Sequence, residues 1–104
     1  MDTYVKVAST GNLAPGEMTQ VHFENIRICL ANVNGTCYAF SDECTDVGGA
    51  LSQGELEGYT VTCPLHNGQF DVRTGKVLQG PPREHLATFK VKVDGQDILI
   101  ARPL

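Results

Sequence analysis

The sequence contains no long hydrophobic run and no cluster of basic residues. Its longest uncharged apolar stretch is far too short to cross a membrane, and its first residues lack a basic leader followed by a hydrophobic segment. Eight Lys and Arg stand against 12 Asp and Glu, for a net charge of −4, so a nucleic-acid backbone would repel the chain. These absences predict a cytoplasmic protein that binds neither membrane nor nucleic acid, and whose partner carries a basic patch.

A sustained helical period is also missing. Eleven Gly and five Pro interrupt the chain at short intervals, and no segment of helical length repeats its apolar residues every 3.6 positions. Since 104 residues make one ordinary domain, we expect a single all-β domain over 1–104, an antiparallel sandwich or barrel. The predicted strands are 4–8, 19–23, 26–31, 36–40, 56–62, 68–71, 86–93 and 97–102.

Two dipeptides with hairpin chemistry set the expected strand register. Asn34-Gly35 and Asp94-Gly95 both tolerate positive φ at the two central positions of a type I′ turn. With Asn34-Gly35 as a two-residue loop, Cys29 pairs with Phe40, and Cys29 and Cys37 point to opposite faces. A disulfide between these two cysteines is then geometrically poor, so we expect both to be buried as small hydrophobic residues.

The other two cysteines open short segments that end in glycine. These are Cys44-Thr45-Asp46-Val47-Gly48-Gly49 and Cys63-Pro64-Leu65-His66-Asn67-Gly68. In a reducing cytosol, cysteines so placed indicate metal binding rather than disulfides. Two thiolates and an imidazole select zinc or an iron–sulfur cluster over magnesium or calcium. The glycines allow tight loops whose amides can donate hydrogen bonds to sulfur.

The two segments resemble the Rieske family, whose pattern is Cys-x-His, a spacer of similar length, and Cys-x-x-His. The second segment matches in full, and the likeness continues through 68–71, the turn at 74–75 and the loop 80–82. The resemblance implies a Rieske-type antiparallel β fold with a small cluster-binding subdomain inserted at about 41–82.

The resemblance also implies ligands for a [2Fe-2S] cluster. Cys44 and Cys63 would bind the inner iron and His66 the outer iron, whereas Asp46 stands where the family has its first His. Three interpretations of Asp46 stay open. It ligates the outer iron beside His66; its presence, natural or engineered, leaves the cluster labile or absent; or the four residues hold mononuclear zinc or iron.

A low reduction potential is the expected consequence for such a protein. Gly49 and Leu65 stand where high-potential members of the family carry an additional disulfide, and Gln69 and Phe70 replace a Ser and a Tyr that donate to the cluster. A carboxylate at Asp46 would favour ferric iron as well.

The implied function is that of a soluble electron carrier and not of an enzyme, because little room is left for a substrate. Related ferredoxins take electrons from a flavin reductase and pass them to a terminal oxygenase. We expect a monomer that docks transiently around Asp46, His66 and 80–82, with Asp42, Glu43 and Glu84 steering a basic partner. The alternative is a cluster-free or mononuclear binding module or small subunit, like the Rieske-fold partner of nitrite reductases.

Overall fold

The structure is a computed structural model that describes residues 3–44, 49–65, 67–80 and 84–101. Over these residues it contains strands and two 3-10 helices, Thr10–Asn12 and Leu51–Gln53, but no α-helix. The strands are β1 (Tyr4–Ser9), β2 (Met18–Phe23), β3 (Ile26–Val33), β4 (Thr36–Ser41), β5 (Glu55–Glu57), β6 (Thr60–Thr62), β7 (Gln69–Asp71), β8 (Val77–Gln79), β9 (Thr88–Phe89), β10 (Val91–Asp94) and β11 (Asp97–Ala101). The all-β prediction is confirmed. Within the same residues, no helix has the length and hydrophobicity that a membrane span requires.

The strands form three antiparallel sheets. The terminal sheet has the order β1-β11-β10, the central sheet β2-β3-β4-β9, and the inserted sheet β5-β6-β7-β8. In sequence, the inserted sheet lies between β4 and β9, two neighbouring strands of the central sheet. It falls within the range 41–82 predicted for the cluster-binding subdomain, whose boundaries, like the single domain over 1–104, stay predictions.

The central sheet is buried on both faces because the side chains of β3 alternate between two cores. On one face, Cys29, Ala31 and Val33 pack with residues of the inserted sheet, in a cluster that also contains Cys44 and Cys63. We call this cluster the site core. On the opposite face, β3 packs against the terminal sheet. Burial of these apolar faces is the main force that holds the three layers together.

The predicted hairpin between β3 and β4 is confirmed. Cys29 pairs with Phe40, and Asn34 and Gly35 have φ values of 53° and 93°. Cys29 lies in the site core, whereas Cys37 packs on the opposite face, and both thiols are free. The expectation that Cys37 is buried was wrong, since its position next to the turn leaves it half-exposed.

The second predicted turn was wrong in its position by one residue. Asp94 still pairs with Asp97, so Gly95 and Gln96 are the central residues of this hairpin. Of the two, only Gly95 has a positive φ, at 62°, as a type II′ turn requires at its first central position.

Two predicted strands proved to be pairs of strands. The range 56–62 is a hairpin in which Glu57 pairs with Thr60 and Gly58 adopts a φ of 59°. The range 86–93 contains β9, which joins the central sheet, and β10, which joins the terminal sheet. The chain changes sheets at Lys90, whose carbonyl accepts a hydrogen bond from the Ala101 amide at 3.0 Å. Strand β8 was missed because it has only three residues, of which Leu78 and Gln79 are exposed.

Candidate metal centre

Two loops with the same closing hydrogen bond carry the buried cysteines. The Cys44 amide donates to the Gly49 carbonyl at 2.8 Å, and the Cys63 amide donates to the Gly68 carbonyl at 2.8 Å. Each loop therefore closes from a cysteine to the glycine five positions later. We call them the first and second ligand loops. Cys44 is 3% exposed and Cys63 is 0% exposed, so both sulfurs face the interior.

Each loop is positioned by a strand that ends just before its cysteine. Strand β4 ends at Ser41, whose amide donates to the Ala87 carbonyl at 2.9 Å, and the first ligand loop begins three residues later. Strand β6 ends at Thr62, directly before Cys63. The central sheet thus positions the first ligand loop, and the inserted sheet positions the second.

The two loops touch at Gly49. A Cβ atom built on Gly49 would lie 3.0 Å from Leu65 Cδ1 and 3.5 Å from Cys63 Sγ. Gly49 also accepts the hydrogen bond that closes the loop of Cys44. This contact brings the two cysteine-bearing loops together, as a cluster bound by both sulfurs requires. It also places positions 49 and 65 side by side.

A backbone amide points at one of the sulfurs. The Leu65 amide lies 3.4 Å from Cys63 Sγ and donates to it. A hydrogen bond of this kind stabilises negative charge on a ligand sulfur. The sequence predicted that amides of these loops donate hydrogen bonds to sulfur. The structure identifies Leu65 as one residue that does so.

Gln69 and Phe70 stand where high-potential members of the family have hydroxyl donors, and neither side chain carries a hydroxyl group. Gln69 Nε2 donates to Thr62 Oγ1 at 3.3 Å, and Phe70 is fully buried in the site core. The low reduction potential expected from these two replacements stays a prediction.

Asp42 was expected on the surface, and this expectation was wrong. Its side chain is 0% exposed. It accepts hydrogen bonds from Gln20 Nε2 at 2.6 Å and from the Ser52 amide and Ser52 Oγ, each at 2.6 Å. Glu43 and Glu84, which were expected to act with it, are exposed, and Glu43 lies 3.7 Å from Arg27. The acidic steering surface therefore lacks Asp42.

Burial and charge together act on Cys29, which shares the site core. Burial raises the pKa of the Cys29 thiol strongly, and the neighbouring Asp42 carboxylate raises this pKa further. Burial also raises the pKa of the Cys37 thiol. Both thiols therefore stay protonated near neutral pH in the metal-free protein.

Of the four predicted ligands, Cys44 and Cys63 are described, whereas Asp46 and His66 lie outside the described residues. The same holds for Pro81 and Pro82 of the loop 80–82, where docking was expected. No group of three potential metal-binding side chains occurs within 3–44, 49–65, 67–80 and 84–101. The described part of the site fits an iron–sulfur cluster through its two buried thiols and its amide aimed at sulfur.

Comparison with known proteins gives the same result. The sequence pattern of the Rieske [2Fe-2S] domain family matches residues 3–90. The biphenyl dioxygenase ferredoxin subunit of Pseudomonas sp. strain KKS102 is 39% identical over 99 residues, which cover 94% of this chain and 91% of that protein.

Two solved structures are similar over nearly the whole chain. The ferredoxin of carbazole 1,9a-dioxygenase from Nocardioides aromaticivorans IC177 has a TM-score of 0.93 and 32% identity, and the match covers 97% of this chain and 99% of that one. A complex of reduced oxygenase and oxidised ferredoxin in carbazole 1,9a-dioxygenase contains a chain with a TM-score of 0.89 and 30% identity, with 94% and 92% covered.

The fold, the paired cysteine loops and these matches identify the cofactor as a [2Fe-2S] cluster. The expected likeness to oxygenase ferredoxins is confirmed. The protein therefore belongs to the Rieske [2Fe-2S] domain family, as a ferredoxin that carries electrons for a terminal oxygenase and is not itself an enzyme.

Proposed function

We propose that Cys44, Asp46, Cys63 and His66 hold the [2Fe-2S] cluster, with the two cysteines on the inner iron. The observation that supports this most strongly is the matched closure of the two ligand loops and their contact at Gly49 beside Cys63 Sγ. When bound, the cluster takes up and releases one electron. The described residues hold the sulfurs away from water and supply the Leu65 amide to Cys63. His66 and Asp46 are proposed as ligands from the sequence pattern alone.

The electron donor is a flavin-dependent reductase, and the acceptor is a terminal oxygenase that this ferredoxin contacts transiently. A relative's complex with its oxygenase supports the second contact. Leu65, 49% exposed and next in sequence to His66, is an apolar residue suited to the centre of a small docking surface. Glu43 and Glu84 are exposed and charged, so they suit the polar rim of this docking surface. We place the protein in the cytoplasm as a monomer.

Reconstitution with iron and sulfide tests the ligands, because the chain supplies its own matched controls among four cysteines. Cys44→Ser and Cys63→Ser are expected to abolish the visible charge-transfer bands, roughly between 400 and 600 nm, together with bound iron and acid-labile sulfide. Cys37→Ser is expected to retain all three signals, since Cys37 packs on the opposite face of the central sheet. A full cluster in Cys44→Ser, or its loss in Cys37→Ser, would contradict the proposal.

Transfer to the acceptor is tested by mixing reduced protein with an oxidised terminal oxygenase of the biphenyl type and following reoxidation in a stopped-flow instrument. Leu65→Ser is expected to slow reoxidation several-fold per bound cluster, with the positions of the absorption bands unchanged. Leu78→Ser is the matched control, because Leu78 is equally exposed but lies on β8. Equal rates in the two variants would remove Leu65 from the docking surface.

A further inference from the structure

We propose that Asp42 is a positioning residue of the cluster site: its buried carboxylate holds the first ligand loop closed, and its negative charge favours the oxidised cluster. This inference rests on the proposed ligation by Cys44 and concerns a residue that is not itself a ligand. It assigns one role to the hydrogen bonds of Asp42 and another to its charge, and the two can be measured separately.

Asp42 is fixed through both its backbone and its side chain. Its amide donates to the Arg27 carbonyl of β3 at 3.0 Å. Its Oδ2 accepts from Gln20 Nε2 of β2 at 2.6 Å and from Ser52 Oγ at 2.6 Å, while its Oδ1 accepts from the Ser52 amide at 2.6 Å. Ser52 belongs to the helix Leu51–Gln53. The carboxylate therefore connects this helix to β2, and the backbone amide of the same residue connects it to β3.

These contacts hold the first ligand loop from both sides. Asp42 lies two residues before Cys44, and Ser52 lies three residues after Gly49. The bond from the Cys44 amide to the Gly49 carbonyl, at 2.8 Å, lies between them. Because the carboxylate connects the two ends of the loop, losing one of its hydrogen bonds leaves Cys44 less firmly placed.

The charge of Asp42 acts on a residue of the site core. Its three hydrogen bonds come from neutral groups, so they leave its net charge in place. That charge already raises the pKa of the Cys29 thiol, in the same core that contains Cys44 and Cys63. In surroundings of low dielectric, the interaction between two charges is stronger than in water. Reduction adds an electron to the cluster, and a nearby carboxylate opposes that addition.

Shape and hydrogen bonding alone do not require a carboxylate at this position. An Asn at position 42 would accept from the Ser52 amide through its Oδ1 and donate to Gln20 once that side-chain amide is turned over. The neutral amide would also avoid the cost of burying a charge. The carboxylate at position 42 therefore supplies a negative charge that its shape and hydrogen bonds do not require.

Two variants separate the two roles. Asp42→Asn keeps the shape and removes the charge, so we expect the one-electron equilibrium constant for reduction to rise about tenfold, which corresponds to about 59 mV. Ser52→Ala keeps the charge and the backbone donor but removes Oγ, so we expect several-fold faster release of iron to a chelator with little change in potential. Asp94→Asn removes an exposed carboxylate at the end of β10 and is the matched control for charge.

The outcomes decide each role in turn. A shift in potential that is no larger in Asp42→Asn than in Asp94→Asn overturns the role of the charge. Iron release from Ser52→Ala at the wild-type rate overturns the role in positioning. If both expected results are obtained, Asp42 acts on the cluster in two ways: its hydrogen bonds position Cys44, and its negative charge lowers the reduction potential.

A third measurement distinguishes this inference from the proposed ligation. In metal-free protein, the alkylation rate of Cys44 can be followed residue by residue with mass spectrometry. If the wild-type protein takes up no iron and sulfide, the proposed ligation fails and the role of the charge fails with it. Faster alkylation of Cys44 in Ser52→Ala than in wild type still supports positioning in that case, and equal rates overturn it.

Discussion

Gly49 and Leu65 lie against each other, 3.3 Å from the Cβ position of Gly49 to Leu65 Cγ. High-potential members of the family bear a disulfide at the corresponding positions, whereas here an apolar side chain packs on a glycine. The contact keeps the two ligand loops together without a covalent bond. It also fixes how closely any larger residue at position 49 can approach Cys63.

The spacing predicts that a disulfide can be built between these loops. In Gly49→Cys/Leu65→Cys, mild oxidation is expected to form the bond, since Leu65 Cγ already occupies about the place of the second sulfur. A closed loop of about 15 residues is expected to stabilise the protein by about 3 kcal/mol. Mass spectrometry of the oxidised protein would show two hydrogens lost, and urea unfolding would measure the gain. The single variant Leu65→Cys is the control, and two persistent free thiols at 49 and 65 would contradict the geometry.

Gly54 is expected to be less replaceable than Gly49 or Gly11. A Cβ atom there would lie 1.9 Å from the Thr62 carbonyl oxygen, and that backbone leads directly into Cys63. Gly54→Ala should therefore cost about 1–3 kcal/mol of unfolding free energy and weaken cluster retention. Gly49→Ala meets the flexible Leu65 side chain at 3.0 Å and Cys63 Sγ at 3.5 Å and should cost less, whereas Gly11→Ala meets no atom within 4 Å.

Chemical unfolding and iron-release rates of the three alanine variants test this order. If Gly54→Ala and Gly11→Ala lose the same amount of unfolding free energy and release iron at the same rate, the prediction is wrong. The backbone of β6 can then move without disturbing the second ligand loop.

The sequence was sufficient for features that depend on neighbouring residues. The hairpin of β3 and β4 was predicted because Asn34-Gly35 fixes its register locally, and the pairing of Cys29 with Phe40 follows from it. The two cysteine loops were found from residue types and spacing alone. In each case the determining residues are a few positions apart in the chain.

Features that depend on distant partners were missed or misplaced. Asp42 makes its hydrogen bonds to residues 10 and 22 positions away, so beside Glu43 it had the pattern of a surface acid. The division of 86–93 into two strands depends on which sheet each part joins. The shift of the turn at Gly95 depends on the pairing of β10 with β11. None of these relationships leaves a local signal in the sequence.

Cys29 should make the stability of the protein fall at alkaline pH. Its pKa is raised above the ordinary value of 9.0 by burial and by Asp42, so the folded state keeps the neutral thiol while the unfolded chain ionises. The buried Cys29 thiol therefore makes its full contribution to the free energy of unfolding below pH 9.0. This contribution is lost progressively as the pH rises from there towards the raised pKa. Cys29→Ala removes this loss, so its stability relative to wild type should improve between about pH 8 and pH 10. Urea unfolding at both pH values measures the difference in unfolding free energy between Cys29→Ala and wild type. The same difference at both pH values would contradict the prediction.

Replacing Asp46 tests the position at which this chain departs from its family. A neutral imidazole would remove the anionic charge from the outer iron, so Asp46→His is expected to raise the equilibrium constant for reduction at least tenfold, or about 59 mV. It should also make the potential depend on pH near neutrality, because a second imidazole then titrates. Asp46→Ala should lose the cluster. Glu43→Gln, which removes an exposed charge three residues earlier, controls for the loss of charge alone. Protein-film voltammetry measures all four proteins, and an Asp46→Ala protein with full cluster content and wild-type potential would show that the carboxylate is not a ligand.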